Sequence, residues 1–346
     1  MSETFINYAI VGYGSAGRTI HLPLIAHEPR LKLRGIMARK AETREQAKAA
    51  HGCLTYSTIE EMLGDEELDL VIITTPHDSH APIAIQSLDA GKNVVTDKPM
   101  CLSMSEYDAM VEAQKRSGKL LTVFHNARES GDFRTLRSVM ESGQLGEMRW
   151  LELNWNRHGL SQRSKWRNEA SANGGRLIDL GVHLIDQALL VFPQRIMSVY
   201  TRMNKDWPDA DVESACMITI AFDGGGTAII DVGSMTRYAK PKYIAVGTQA
   251  TWTKPPNIYD PQDAAVSSSD YTKNIEPEMG YGTLIAEIAT NQTHTISGDW
   301  RTFYYNLADV LLEGAKPLVQ LDEMRRVILV MTAALESART GDVVRL

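Results

Sequence analysis

Apolar and polar positions along the chain follow two rhythms. Up to residue 124, short apolar runs at residues 5–11, 32–37, 68–75, 92–96 and 120–124 are separated by stretches of helical spacing at 18–27, 43–51, 81–90 and 103–117. Apolar runs bounded by turn residues predict buried strands, and strand alternating with helix at this period predicts right-handed crossovers and a parallel sheet. Beyond residue 124 the rhythm changes. A helix is predicted over 133–141, a strand over 148–156, and a helix apolar on almost every side from residue 177. Strands follow at 198–203, 213–222, 226–235 and 243–246. The turn Asp223-Gly224-Gly225-Gly226 joins two of them, so hairpins and an antiparallel sheet are expected. Residues 253–279, rich in Pro, Ser and Asp, read as a surface excursion, and helices over 300–313 and 323–339 close the chain.

The first apolar run leads directly into Gly12-Tyr13-Gly14-Ser15-Ala16-Gly17. Between a strand and a helix, this pattern is expected to be a dinucleotide-binding turn rather than only a turn that packs a helix closely. Gly12 permits the tight turn, Gly14 lets backbone approach a pyrophosphate, Gly17 lets the helix pack on the strand, and Ser15 and Ala16 open the helix at the phosphates. The expected fold is therefore an α/β Rossmann dinucleotide-binding domain over residues 1–124. An α+β substrate and oligomerisation domain with a large, mainly antiparallel open sheet follows over 125–346, its terminal helix able to pack back on the first. The second strand ends in Ala38-Arg39-Lys40, where an NAD-selective site would carry an Asp or Glu. None stands there. Arg39 and Lys40 suit a 2′-phosphate, so NADP is expected in preference to NAD.

Ligands of open parallel sheets sit at the carboxyl ends of the strands, and two such ends carry chemistry. Thr74-Thr75-Pro76-His77-Asp78-Ser79-His80 spaces two histidines as a metal might require, but no third ligand accompanies them. No metal is expected; Asp78 or Ser79 is expected to cap the next helix, with His80 near the cofactor. In Thr96-Asp97-Lys98-Pro99, the proline keeps Lys98 extended at its strand end, where it can donate a proton, clamp a substrate or serve as a surface cation.

The apolar helix carries Gly174-Gly175-Arg176-Leu177-Ile178-Asp179-Leu180-Gly181-Val182-His183-Leu184-Ile185-Asp186. Asp179 and His183, four residues apart, share one helix face. Buried there, they must meet each other or a ligand, as a core ion pair, two ligands of one metal or a proton-transfer pair. Arg176 fits either an anion clamp or pairing with a surface carboxylate.

Composition narrows the classes. At 346 residues the chain exceeds what one core usually serves, and a net charge of −7 disfavours nucleic acid and gives no field for a membrane surface. No apolar run reaches membrane length, and no leader pattern opens the chain. Cys53, Cys101 and Cys216 are widely spaced and odd in number, as a reducing cytoplasm allows.

The ordered motifs Gly12 to Gly17, Thr75-Pro76 with His80, Asp97-Lys98-Pro99, Trp166-Arg167, and Gly174-Gly175 through Asp179 and His183 to Asp186 resemble those of the Gfo/Idh/MocA oxidoreductase family. The closing helix from Trp300 looks like that family's as well, so the resemblance covers nearly the whole chain. It implies hydride transfer between nicotinamide and a sugar or polyol carbon, with Lys98, Asp179 and His183 catalytic. It also implies a Trp166-Arg167 loop reaching the cofactor, with Asn126, Arg128, Asn156 and Arg157 near substrate. Three positions depart from the pattern: Asp97 replaces the commoner Glu, Arg176 replaces a small residue, and Ala127 replaces a polar one. The expected partner is a small carbohydrate-like substrate, and the expected assembly is a homodimer or homotetramer. The alternative from another class is a non-enzymatic dinucleotide-binding sensor of the same fold.

Overall fold

The computed structural model describes residues 5–159, 165–256 and 278–346. Residues 257–277 of the expected surface excursion lie outside the described residues. Two compact units form, Met1–Asn126 with Trp300–Ile328, and Ala127–Asp299 with Leu329–Leu346.

The first unit holds strands β1 (Ile6–Val11), β2 (Leu31–Met37), β3 (Leu54–Tyr56), β4 (Leu70–Ile73), β5 (Asn93–Asp97) and β6 (Leu121–Phe124). They pair in the order β3-β2-β1-β4-β5-β6, all parallel. That is the doubly wound Rossmann order, with its switch point beside β1. Every residue of β4 and β6 is buried, as strands covered on both faces require. Helices α1 (Leu22–Ile25), α2 (Ala41–His51), α3 (Ile59–Leu63), α4 (His80–Asp89) and α5 (Met104–Ser117) alternate with the strands. Strand β3 and helix α3 were not expected: three residues beginning with an exposed Leu54 carry too little apolar pattern to register.

Asp65 ties this sheet edge together. Its carboxylate accepts from Arg34 Nε at 2.8 Å on β2, Tyr56 Oη at 2.6 Å on β3, and its neighbour Glu67 N at 3.0 Å. The Arg34 hydrogen bond, working against burial and joined by Tyr56, lowers the Asp65 carboxyl to about 2. A depressed folded pKa contributes stability that is complete above the unfolded value and is lost as pH falls through the folded one. Asp65→Asn should therefore cost on the order of 1–2 kcal/mol at neutral pH after solvent screening. The difference from wild type should vanish below pH about 2, as urea unfolding across pH 2–7 would read. An unchanged gap at the acid end would refute this account.

The second unit begins with α6 (Gly131–Glu141) and β7 (Met148–Asn156), followed by α7 (Val182–Val191). Strands β8 (Ile196–Asn204), β9 (Ala215–Phe222), β10 (Thr227–Gly233), β11 (Tyr243–Gly247), β12 (Ala250–Lys254), β13 (Gly282–Ala286), β14 (Thr290–Thr293) and β15 (Val344–Arg345) follow. Their order is β14-β13-β12-β11-β7-β10-β9-β8-β15, and every pairing is antiparallel except that of β7 with β10. The expected turn at Asp223 joins β9 to β10. Registers put Leu151, Leu153 and Trp155 beside Ala228, Ile230 and Val232 on one face. Alternation then sends Trp150 and Met217, both exposed, to the other face. The covered face lies under α7, where Tyr243 Oη donates to Gln187 Oε1 at 2.9 Å.

The closing helices are α8 (Thr302–Glu313) in the first unit and α9 (Leu321–Thr340). Thr122 Oγ1 donates to Val319 O at 2.8 Å and Tyr107 Oη to Leu321 O at 2.7 Å, fastening the returning chain to β6 and α5. In the second unit Ser337 Oγ accepts from Thr201 N of β8 at 2.9 Å.

Candidate active site

In the first unit, β1 ends at Gly12, whose φ of +98° is open to glycine and strained for other residues. A Cβ on Gly17 would lie 2.6 Å from Gly12 O, so the helix can approach the strand only because no side chain intervenes. A Cβ on Gly14 would meet nothing within 4 Å, which leaves room over the loop for a phosphate. Ser15 and Ala16 begin the helical stretch, and Ser15 O accepts from Thr19 Oγ1 at 2.7 Å. Thr74 Oγ1 at the end of β4 donates to Gly12 O at 2.8 Å and clamps the turn. The residues present therefore fit a dinucleotide. Arg39 and Lys40 are exposed after β2, while Arg44 Nη1 donates to Ala38 O and Arg39 O, both at 2.8 Å, and holds their loop.

Thr75 and Pro76 form the turn after β4. His80 is fully buried and joins the two strand ends, Nδ1 lying 2.8 Å from Pro99 O and Nε2 3.0 Å from Thr75 O. The expected capping of α4 is not made by a side chain. Ser79 Oγ instead donates to Thr75 Oγ1 at 2.7 Å and Pro76 O at 2.6 Å, because the preceding 3-10 turn His77–Ser79 already curls the chain into the helix.

Lys98 is half-buried at the end of β5, and its backbone N–H donates to Asp97 Oδ1 at 2.8 Å. The other Asp97 oxygen lies 3.6 Å from Nε2 of the fully buried His21, whose Nδ1 is 2.5 Å from Tyr304 Oη. Burial would raise the Asp97 carboxyl, but His21, followed by the charges of Lys98 and His80, outweighs it and holds the group well below the usual carboxylate range. An anion is thus fixed beside Lys98. The sequence reading missed His21 and Tyr304: they lie far apart in the chain, and a buried histidine in an apolar helix looks like packing.

In the second unit the site helix opens with a wide turn, Leu177–Gly181, closed by the bond from Val182 N to Leu177 O, and continues as α7. Gly175 has φ +113°, and a Cβ there would lie 2.3 Å from the Glu213 carboxylate, which accepts from Leu177 N at 2.9 Å. Gly175 thus lets that carboxylate reach the helix start, while Gly174, where a Cβ would lie 2.4 Å from Arg167 O, lets the preceding loop fold close. Burial pushes the Glu213 carboxyl up, against the Leu177 bond.

Asp179 and His183 are 7% and 6% exposed, so both are enclosed. Asp179 Oδ1 accepts from Arg167 Nε at 2.9 Å, and Asp179 Oδ2 lies 3.7 Å from Arg176 Nη1. Arg167 also rests 4.6 Å from the Trp166 ring centroid. His183 stacks on Trp155 at 5.9 Å with a 28° interplanar angle, and Lys242 Nζ lies 4.0 Å from the same indole. Trp155 was not among the expected site residues, although alternation along β7 puts it on the helix-facing side.

The weaker expectations separate. Arg128 is buried and grips Asp186 through Nε at 2.8 Å and Nη2 at 2.6 Å. Asn156 Nδ2 donates to Asp231 O at 3.3 Å, and its Oδ1 accepts from Thr236 Oγ1 at 3.3 Å. Arg157 is exposed, and Asn126 opens a short turn that ends at Glu129. Arg176, read as an anion clamp or a surface partner, is not at the surface. It is 1% exposed, with Nε donating to Ser234 Oγ at 2.5 Å. Among the described residues, no group of His, Cys, Asp or Glu is arranged to hold a metal, and no helix is long and apolar enough to cross a membrane.

Residues 6–125 match the family described as "Oxidoreductase family, NAD-binding Rossmann fold", and residues 133–253 match "GFO/IDH/MocA C-terminal domain". The chain is 28% identical over 342 residues to scyllo-inositol 2-dehydrogenase (NADP(+)) IolW of Bacillus subtilis (strain 168), covering 96% of this chain and 94% of that one. An NAD-binding protein from Listeria innocua superposes with a TM-score of 0.83 at 30% identity, over 98% of this chain and 96% of the other. The yvaA structure from Bacillus subtilis gives a TM-score of 0.90 at 26% identity over the full length of both. With a glycine turn built for a dinucleotide in one unit, an enclosed Asp179 and His183 in the other, and a family match across both, this chain belongs to the GFO/IDH/MocA oxidoreductases.

Proposed function

We propose that the protein is an NADP-linked dehydrogenase or reductase that moves a hydride between nicotinamide and a CH–OH carbon of a sugar, polyol or sugar derivative. The observation that carries this reading is the enclosed pair Asp179 and His183, its carboxylate bonded to Arg167 and its imidazole stacked on Trp155. The full-length likeness to a scyllo-inositol 2-dehydrogenase supports it.

A bound nicotinamide supplies the hydride acceptor. The carbinol carbon gives up its hydride, the C–O bond becomes a carbonyl, and the hydroxyl proton passes to the imidazole of His183. Asp179, kept in place by Arg167, orients the imidazole or a neighbouring hydroxyl. Trp155 limits the tilt of the imidazole ring. From the first unit we assign Lys98 the role of donor to the reacting oxygen, where it stabilises alkoxide character. The Asp97 anion lies next to it, backed by His21. Self-association as a homodimer or homotetramer belongs to the same proposal and is supported by the open sheet face at Trp150 and Met217.

Reduced-cofactor absorbance, followed with a panel of sugars, polyols and sugar acids, tests the reaction; inertness toward the whole panel in both directions would sink it. The cofactor choice has its own test. Arg39 and Lys40 stand where an NAD-selective acid is lacking, so kcat/KM should favour NADP, and Arg39→Ala should cut that preference about tenfold. A wild-type preference for NAD would overturn the assignment of these two cations.

A further inference from the structure

Arg176 is a cation that the mechanism leaves unused. Its side chain is 1% exposed, and only Nε makes a hydrogen bond, to Ser234 Oγ at 2.5 Å; Nη1 and Nη2 are buried without a hydrogen-bond partner. The Asp179 oxygen 3.7 Å from Nη1 is beyond hydrogen-bonding reach, and the other oxygen of that carboxylate is taken by Arg167. A buried guanidinium with four of its five N–H donors unmet is strongly destabilising unless an anion completes it. The local balance points the same way. Burial first, then the neighbouring charge of Arg157, depress the Arg176 guanidinium, against Asp179 and Glu213, and Arg167 adds further positive charge.

Position decides what the anion belongs to. Arg176, Asp179 and His183 follow one another at intervals of three and four residues, so they line one side of the helix start. Resting on the reading of His183 as proton acceptor, we infer that the substrate carries a carboxylate that seats on Nη1 and Nη2 of Arg176, making it a sugar acid rather than a neutral polyol. The carboxylate lies at Arg176, a middle hydroxyl meets Asp179, and the hydroxyl to be oxidised reaches His183. From Arg176 to His183 the rise is on the order of 10 Å, which an extended six-carbon acid and two long side chains span. The planar Nη1–Nη2 edge matches the two oxygens of a carboxylate, and one buried guanidinium balances the single charge of a carboxylate but not the roughly −1.5 to −2 of a phosphate monoester.

Calorimetric titration of the full chain with NADP present tests this, using gluconate, galactonate and glucuronate against sorbitol and glucose, with glucose 6-phosphate as the phosphate arm. At least one acid should bind about 30-fold tighter than the neutral compound of the same chain length. Arg176→Lys, which keeps charge but loses the fork, and Arg176→Met should both abolish that preference while leaving NADP binding unchanged. The wild-type comparison stands even if a variant folds poorly. Equal binding of acids and neutral compounds, tighter binding of the sugar phosphate, or a preference surviving in both folded variants would each overturn the carboxylate site. The two readings fail separately. Acids that bind but are never oxidised would retain the site and remove the hydride-transfer reading, whereas neutral polyols oxidised without any acid preference would do the reverse.

Discussion

His183→Ala is expected to lower kcat by about a hundredfold or more while leaving the affinity for NADP unchanged. The imidazole is the proton acceptor assigned to the site helix, and its removal leaves Trp155 facing a void without disturbing the glycine turn of the other unit. Lys98→Ala should reach a similar loss by another route, the removal of the donor to the reacting oxygen. Asp179→Asn should behave differently. It leaves Arg167 and Arg176 without the carboxylate they flank, so stability should fall together with activity. Steady-state kinetics with the best substrate of the panel, beside cofactor titration, separate these effects. Turnover close to wild type in His183→Ala would remove the imidazole from the mechanism.

Breaking the Arg128–Asp186 pair should cost the fold more than any other single polar change considered. Both groups are almost fully enclosed, and the fork is bidentate at 2.8 and 2.6 Å. Either Arg128→Met or Asp186→Asn strands one buried charge or a mismatched amide, with an expected loss of roughly 3–5 kcal/mol. Replacing both, as Arg128→Met with Asp186→Leu, should cost less than either single change, because no charge is left uncompensated. Urea unfolding of the three variants reads this directly. Single variants within about 1 kcal/mol of wild type would mean that the pair is dispensable.

The parallel half was legible because its information is local: unbroken apolar runs such as Leu70–Ile73 and the glycine turn after Val11 announce themselves within a few residues. The all-round burial of the site helix was legible for the same reason. What the pattern did not carry was decided at long range. Strand β10 pairs parallel with β7 although every neighbouring pair is antiparallel, and no hairpin signal encodes a partner so far back in the chain. The sequence left Arg176 open between an anion clamp and a surface partner, because only Ser234 and the Asp179 carboxylate, brought in by the fold, give its charge an interior address. The short polar strand Thr290–Thr293 has no buried residue and so no apolar signature.

Both helices that carry the key motifs start with the same departure from regular winding. The turns Gly17–His21 and Leu177–Gly181 each close through a bond spanning five residues, to Leu22 and Val182. Such a turn is equivalent to one residue added to an α-helix. Losing that residue from the wide turn would restore ideal winding and keep the helix beyond it in phase, because the five steps of the wide turn cover about the rotation of four regular steps of about 100°. A residue lost at Val182, where the winding is regular, would instead swing everything beyond it by about 100°, so that His183 would leave Trp155 and Asp186 would leave Arg128 in the same step. The wide turn is therefore the place where this helix can change its residue count, whereas a single gap in α7 would dismantle site and core together.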